Sequence, residues 1–452
     1  MSHPTTVTGL LPQAEAPITL ERPAGAARLL GLRDTAGLWA GLGVSLLLPV
    51  AATFAVLPGR PLGITVLAIV VGAAIGSVLL GLGAAAGARE GAPTMVLLRG
   101  LLGRRLSYLP TVLNLLQCVG WATFEIVIIS SAAARALDAP AWPFVLAAGA
   151  AATAMAVWPL GAVRVLARYA FWATLAATVY LFVEVLSAPA RPLTGPGAPS
   201  FWAAVDVVVA MPVSWFPLVA DYTRHARGAR TAFAGTSIGY GLATVAFFVL
   251  GVLALAAYGQ GGLDVIGALL AVPFGALAVA VLVVVEVDEA FANVYSTAVS
   301  AQNMLERVDR RVLAVAVGAV ATLLALVFDI TSYEPFLFLI GAVFVPLVAV
   351  FAVAYFLHPR GAWDVSTAAP ARPALLLPWI AGFATYQLTL PTYFAGAGRG
   401  WTDWWTARQQ DLGIDPANGW SASLVSLAVA AVLTGIICLP AALRRRRQAR
   451  PR

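Results

Sequence analysis

Along this chain long apolar runs alternate with short polar segments. Twelve runs have about the length, ~20 residues, that a helix needs to cross a hydrocarbon layer about 30 Å thick. They cover residues 39–57, 62–86, 106–134, 142–160, 163–187, 201–221, 233–258, 272–301, 312–328, 333–357, 374–390 and 422–443. Two of them are interrupted. The first carries Gly41, Gly43, Ser45 and Pro49 near its middle, and the sixth places Pro212, Ser214, Trp215 and Pro217 at mid-span. Proline lacks the N–H that continues a helix, and its ring collides with the preceding turn. Lipid cannot satisfy the backbone groups that a break sets free, so a break must face protein or a water-filled cavity. Breaks at matching positions five runs apart point to two inverted repeats with a transport site between them. A proline-kinked helix without a ligand is the plainer alternative.

The third and eighth runs are the polar ones. Asn114, Gln117, Trp121 and Glu125 recur every three or four residues and so share one helical face. A carboxylate at mid-membrane costs at least ~2.5 kcal/mol on insertion scales, so Glu125 is expected to face a cavity or a partner. Trp121, one turn earlier, offers a flat apolar surface and an N–H donor. Together they suit a planar heteroaromatic solute, the alternative being an interhelical hydrogen bond with Trp121 as packing.

In the eighth run Glu286, Glu289, Asn293, Ser296 and Ser300 form a stripe, with Asp288 about 100° from it. Acids this close call for a cation among them or a proton on at least one. Oxygen ligands suit Na⁺ or H⁺ better than a transition metal. A shorter span that leaves the acids near an aqueous vestibule would relieve the same charges. Glu184 and Asp206 read as structural or near-interface. Asp221, Tyr222 and Arg224 read as a helix-end polar network or inner gate.

With 452 residues, 60% hydrophobic and 11% charged, the chain is expected to be a polytopic membrane protein rather than a soluble globule. The net charge of +7 comes from arginines in short loops and at the C-terminus, which read as topology signals and not as a nucleic-acid surface. Placing the N-terminus inside puts all but five of the 28 arginines on the cytoplasmic side, which favours an inner-membrane protein with both termini cytoplasmic. Trp401, Trp404 and Trp405 then lie in an external loop as an interfacial anchor. Cys118 and Cys438 sit inside apolar runs, and no disulfide is expected. The histidines, His3, His225 and His358, lie outside the membrane core, HExxH and Walker patterns are missing, and the GxSxG match at residues 235–239 falls inside an apolar run and not at the strand-to-helix turn that a nucleophile needs. These features argue against a protease, a lipase or an ATP-driven pump. Residues 1–35 read as a cytoplasmic tail without signal-peptide character, 36–357 as a ten-helix core with repeats at about 36–190 and 200–357, 358–443 as two further helices, and 444–452 as a basic tail.

Residues 93–121, 212–227 and 291–303, together with the interrupted first run, resemble the nucleobase:cation symporter family of purine/cytosine permeases. The form SWFPLVADYTR is most similar to the family's hydroxymethylpyrimidine transporter branch, which would supply a thiamine precursor. The resemblance implies an all-α, leucine-transporter-type fold of twelve transmembrane helices, with two inverted five-helix repeats, broken helices one and six, and two extra helices. It implies a substrate ring held between Trp121 and Trp215, with Asn293 at the family's asparagine position and Glu125 where the family has a glutamine. Gln117 and Ser214 are grouped with them as candidate substrate contacts. The family's sodium site uses backbone carbonyls at the first break, here the Gly43, Val44 and Ser45 region, and hydroxyls of span eight. This chain has Asp288 and Glu289 there instead, so the coupling ion is either Na⁺ held by these acids or H⁺ carried on them. Glu125, an acceptor only when ionised, shifts preference toward donors such as an aminopyrimidine N–H pair.

The expected function is import of a pyrimidine- or purine-type heterocycle, such as hydroxymethylpyrimidine or cytosine, together with a cation by alternating access. The expected partners are the solute, the ion and the bilayer, with neither cofactor nor nucleic acid. A symporter of the same fold for amino acids or other organic solutes is the alternative. A membrane-embedded enzyme using the span-eight acids is a remote one.

Overall fold

The computed structural model describes residues 30–158, 162–194, 199–259, 263–302, 308–359, 361–394, 398–415 and 419–448. Each of the twelve apolar runs overlaps a helix. The first run is two half-helices, α1 (Leu32–Gly41) and α2 (Leu47–Ala55). Pro49 falls in the first turn of α2, where its missing N–H costs nothing. Next come α3 (Leu62–Glu90), a short α4 (Thr94–Leu102), α5 (Tyr108–Leu137), α6 (Trp142–Val157) and α7 (Ala162–Ser187). The sixth run is α8 (Phe201–Ser214), a 3₁₀ turn at Phe216–Leu218 and α9 (Val219–Thr223). The remaining helices are α10 (Ala229–Tyr258), α11 (Val265–Ala271), α12 (Gly275–Gln302), α13 (Arg310–Val327), α14 (Tyr333–Leu357), α15 (Leu376–Thr389), α16 (Arg399–Asp411) and α17 (Ala422–Gln448).

Among the described residues, 7 helices are long and apolar enough to cross a membrane on their own. The two halves of the first run are individually too short, and α12 carries three acids within its central turns. The short helices α4, α11 and α16 lie in segments expected to be loops. The first helix begins at Leu32, earlier than the expected start and within the stretch read as tail. It is anchored by a parallel bridge, in which the Leu30 N–H donates to the His225 carbonyl at 3.2 Å and Arg227 N–H to the Leu30 carbonyl at 3.0 Å. Residues 1–29 of the tail, 449–452 of the basic C-terminus and Asn303 of the span-eight motif lie outside the described residues.

The helices pack in two groups. In one, α3 lies against α8 and α10, and α1 and α2 lie against α10. In the other, α12 lies against α5, α6, α7 and α13. A third layer, α14 with α15 and α17, covers α8. Close approach dictates glycine where α10 meets the first break. A Cβ on Gly43 would stand 2.5 Å from the Ala243 Cβ, and one on Gly251 2.4 Å from the Pro49 carbonyl oxygen.

Asp206, wholly buried inside α8, caps the N-terminus of α17. Its Oδ1 accepts from the Ser421 hydroxyl at 2.5 Å and the Ser423 N–H at 3.2 Å, and its Oδ2 from the Ala422 N–H at 2.7 Å. This matches the structural role read for it. Replacing Asp206 by Ala strands these buried donors, at about 1–3 kcal/mol for each unsatisfied group. Thermal unfolding of detergent-solubilised protein should show a clear drop for D206A and a smaller one for S421A.

Candidate functional site

At the second break the helical ladder stops because Pro217 has no N–H to donate. Trp215 N–H turns to the Pro212 carbonyl at 3.2 Å, and the Ser214 hydroxyl donates to the Met211 carbonyl at 2.6 Å. The freed Ser214 carbonyl accepts from Gln117 Nε2 of α5 at 2.9 Å, and the same Nε2 donates to Asn114 Oδ1 at 2.9 Å. Gln117 Oε1 is buried without a hydrogen-bond partner.

Two turns further along α5, Glu125 is 3% exposed. Its Oε1 accepts from Asn293 Nδ2 of α12 at 2.9 Å, and its Oε2 is buried without a partner. Asn293 Nδ2 also donates to the Glu289 carbonyl at 3.3 Å. The two tryptophans are held edge-on by other rings. Trp121 meets Phe336 at 5.2 Å and 75°, and Trp215 meets Trp39 at 6.0 Å and 89°. Tyr240 of α10 closes the Trp215 side at 6.3 Å.

All six residues expected to bind substrate, Gln117, Trp121, Glu125, Ser214, Trp215 and Asn293, line one cavity. It encloses about 450 Å³ of space not filled by atoms, open solvent included. Ser45 and Glu289, expected at the ion site, line it as well. Its lining holds two carboxylates, Glu125 and Glu289, and no basic side chain. Sequence reading had not placed Leu42, Cys118, Met211 or Tyr240 there. Cys118 follows Gln117 on the polar face of α5, whereas nothing in the local pattern marks Tyr240.

The expected ion residues separate. Asp288 is exposed on α12 and outside the cavity lining, and buried Gly43 and half-buried Val44 of the first break lie outside the lining too. The acid that reaches that break is Glu286, whose Oε1 accepts from the Ser45 hydroxyl at 2.9 Å and Oε2 from the Leu46 N–H at 2.7 Å. Helical geometry explains this, since Asp288 points well away from the face that Glu286, Glu289 and Asn293 share. Among the described residues no three His, Cys, Asp or Glu side chains are grouped to hold a metal ion. Asp221 is a helix-end device. It accepts from the Thr94 N–H of α4 at 2.9 Å, while the Thr94 hydroxyl accepts from the Ala220 N–H at 2.9 Å. Of the three tryptophans expected to form an interfacial anchor, Trp405 is buried while Trp401 and Trp404 remain exposed on α16.

The sequence matches the family described as permease for cytosine/purines, uracil, thiamine, allantoin over residues 23–372. The chain belongs to this family. The permease is therefore a multi-pass membrane transporter and not an enzyme. No curated protein matches its sequence. Among solved structures it is similar to the inward-facing conformation of Mhp1, at 16% identity and a TM-score of 0.73, over 94% of this chain and 92% of that one. It is also similar to Mhp1, a nucleobase-cation-symport-1 family transporter, in a closed conformation with bromovinylhydantoin bound, at 17% identity and a TM-score of 0.67, over 94% and 97%. A manganese transporter of Eremococcus coleocola in complex with an aromatic bis-isothiourea compound follows at 14% identity and 0.56, over 96% and 99%. At these identities the likeness is one of fold.

Gln117 braces the second break, so Gln117→Leu should cost about 1–3 kcal/mol for the carbonyl it leaves unpaired. Unfolding measured in detergent is expected to show that loss for Q117L, with little change for Cys118→Ser at the next position.

Proposed function

We propose that this permease imports a planar aminoheterocycle, of the hydroxymethylpyrimidine or cytosine type, together with a cation by alternating access. In this reading the twelve helical runs are twelve crossings of a cell's inner membrane, with both termini in the cytoplasm and two inverted five-helix repeats. The observation that carries the reading is the pair of buried acceptors without partners, Gln117 Oε1 and Glu125 Oε2, in a cavity lined by two indoles. A buried acceptor left unpaired is costly, so the cavity suits a ligand that brings N–H groups. An exocyclic amine beside a ring N–H supplies two such donors in one plane.

Trp121 and Trp215 cover the faces of the ring, while Glu125 and Asn293 take its edge. Gln117 accepts from the far side, and the Ser214 segment sets the width of the slot. Bromovinylhydantoin, the ligand of the closed Mhp1 structure, is itself a small planar ring, which supports a heterocycle at the corresponding place. Cavity-lining Glu289 and the first break at Ser45 supply the neighbourhood of the coupling ion.

The test is thermal stabilisation of purified protein by hydroxymethylpyrimidine, cytosine, hypoxanthine, uracil, allantoin and leucine, because a ligand that binds only the folded state raises the melting point. Aminopyrimidines are expected to give the largest shifts. Stabilisation by leucine alone would remove the heterocycle reading. Trp121→Ala and Trp215→Ala should each weaken binding about 10-fold, which corresponds to ~1.4 kcal/mol. Glu125→Gln should narrow the preference for cytosine over uracil, because an amide can also donate to a ring carbonyl.

A further inference from the structure

Three stretches far apart in the chain converge where α4 ends. The Arg104 N–H donates to the Ala369 carbonyl at 3.3 Å and the Arg372 N–H to the Leu102 carbonyl at 3.0 Å, so the segment before α15 is pinned along the α4–α5 turn. Gly103 permits this approach, since a Cβ there would stand 2.4 Å from the Pro370 carbonyl oxygen and its φ of +87° disfavours any side chain. The 3₁₀ turn that follows, Pro373–Leu375, packs on both α4 and α17. Arg372, at the head of that turn, acts through space on Cys438 of α17.

This convergence gathers positive charge. Residues 103–109, 364–376 and 436–448 hold seven arginines, namely Arg104, Arg105, Arg372 and the run from Arg444 to Arg447, against one acid, Asp364. Arg104 and Arg105 are exposed and Arg372 is half-buried. Asp364 acts on Arg372 through space, while its Oδ1 accepts from the Ser366 N–H at 2.9 Å. The apolar part of α17 closes at Pro440, and the helix continues to Gln448. At ~1.5 Å per residue Arg444 begins ~6 Å beyond Pro440. That is headgroup depth, since the polar layer extends ~5–7 Å beyond the hydrocarbon on each side. Four successive positions, ~100° apart, ring the helix there. The preference for arginine in cytoplasmic loops accounts for the charges, but it does not require segments so distant in sequence to meet.

The three helices that leave this end carry exposed apolar side chains into the membrane zone. They are Val112 and Leu116 on α5, Leu377 and Ile380 on α15, and Ile436 and Leu439 on α17. Guanidinium groups pair with phosphate through two parallel N–H bonds, and apolar stripes accept acyl chains. The ligand that satisfies both has a phosphate headgroup and a hydrocarbon tail. Clusters of basic residues just beyond a transmembrane helix are suited to such lipids.

We infer that the arginine cluster formed by the α4–α5 turn, the segment before α15 and the end of α17 is a binding site for an anionic phospholipid. The site does not depend on which solute the permease carries. Naming its leaflet the cytoplasmic one rests on the proposed topology.

The full-length protein, purified in neutral detergent and stripped of lipid, should gain thermal stability when phosphatidylglycerol or cardiolipin is added, and little from phosphatidylcholine. A ligand that binds only the folded state raises the melting point by mass action. The gain should saturate with lipid and shrink in high salt, which screens exposed charges. Replacing Arg444 to Arg447 by Gln should remove most of it, as should Arg104→Gln with Arg105→Gln. Both variants should melt near the wild type in phosphatidylcholine, because the altered residues lie outside the packed core. Arg60→Gln, Arg399→Gln and Arg408→Gln together remove three charges at the opposite end of the bundle and should leave the gain intact.

Equal gains from phosphatidylcholine and phosphatidylglycerol would overturn the assignment, as would a gain that survives in both cluster variants. So would an equal loss in the variant of the opposite end, which would make net charge the cause. Inorganic phosphate matching the lipid would show a site for a free anion and overturn it too. Because micelles have no sidedness, a C-terminus found accessible from outside intact cells would sink the topology and leave the lipid site standing.

Discussion

Two helix breaks inside hydrocarbon set the terms for the rest of this molecule, because each exposes backbone groups that lipid cannot satisfy. The remedies are complementary in sign. At the C-terminal end of α8 a carbonyl is freed, and Gln117 of α5 supplies a donor. At the N-terminal end of α2 amides are freed, and Glu286 of α12 supplies a carboxylate. The breaks lie five runs apart in the chain, and so do the two helices that mend them. Polar side chains that would be expensive against lipid are tolerated on α5 and α12 because they meet these ends, and the cavity lies between the two mends.

The same logic sorts the buried acids. Asp206, Asp221 and Glu286 each cap a helix N-terminus, respectively those of α17, α4 and α2. A carboxylate in that position satisfies orphaned donors and meets the favourable end of the helix dipole. Glu125 and Glu289 line the cavity, and Glu125 leaves one oxygen without a partner. Charge within a membrane span is thus a weak guide to chemistry until the helix end that each acid faces is known. Aromatic residues divide similarly. Trp121 and Trp215 border the cavity, while Trp39 and Phe336 hold them in place by edge contacts.

Much of this was legible in the chain before folding. Apolar runs of membrane length, proline and glycine at two mid-spans, and three-to-four-residue spacing on the third and eighth runs determined the helices, the breaks and the face shared by Gln117, Trp121 and Glu125, because these depend on covalent geometry and helical periodicity. What only the tertiary structure decided was which acid meets which break. Glu286, Asp288 and Glu289 are nearly equivalent in sequence, yet one turns to α2, one away from the cavity and one into it. That choice follows from the rotation of α12 against α2 and α5, which is set by packing among helices far apart in the chain. The short helices α4, α11 and α16 and the place of Tyr240 beside Trp215 were likewise undetermined locally, since each owes its position to a neighbour and not to its own pattern.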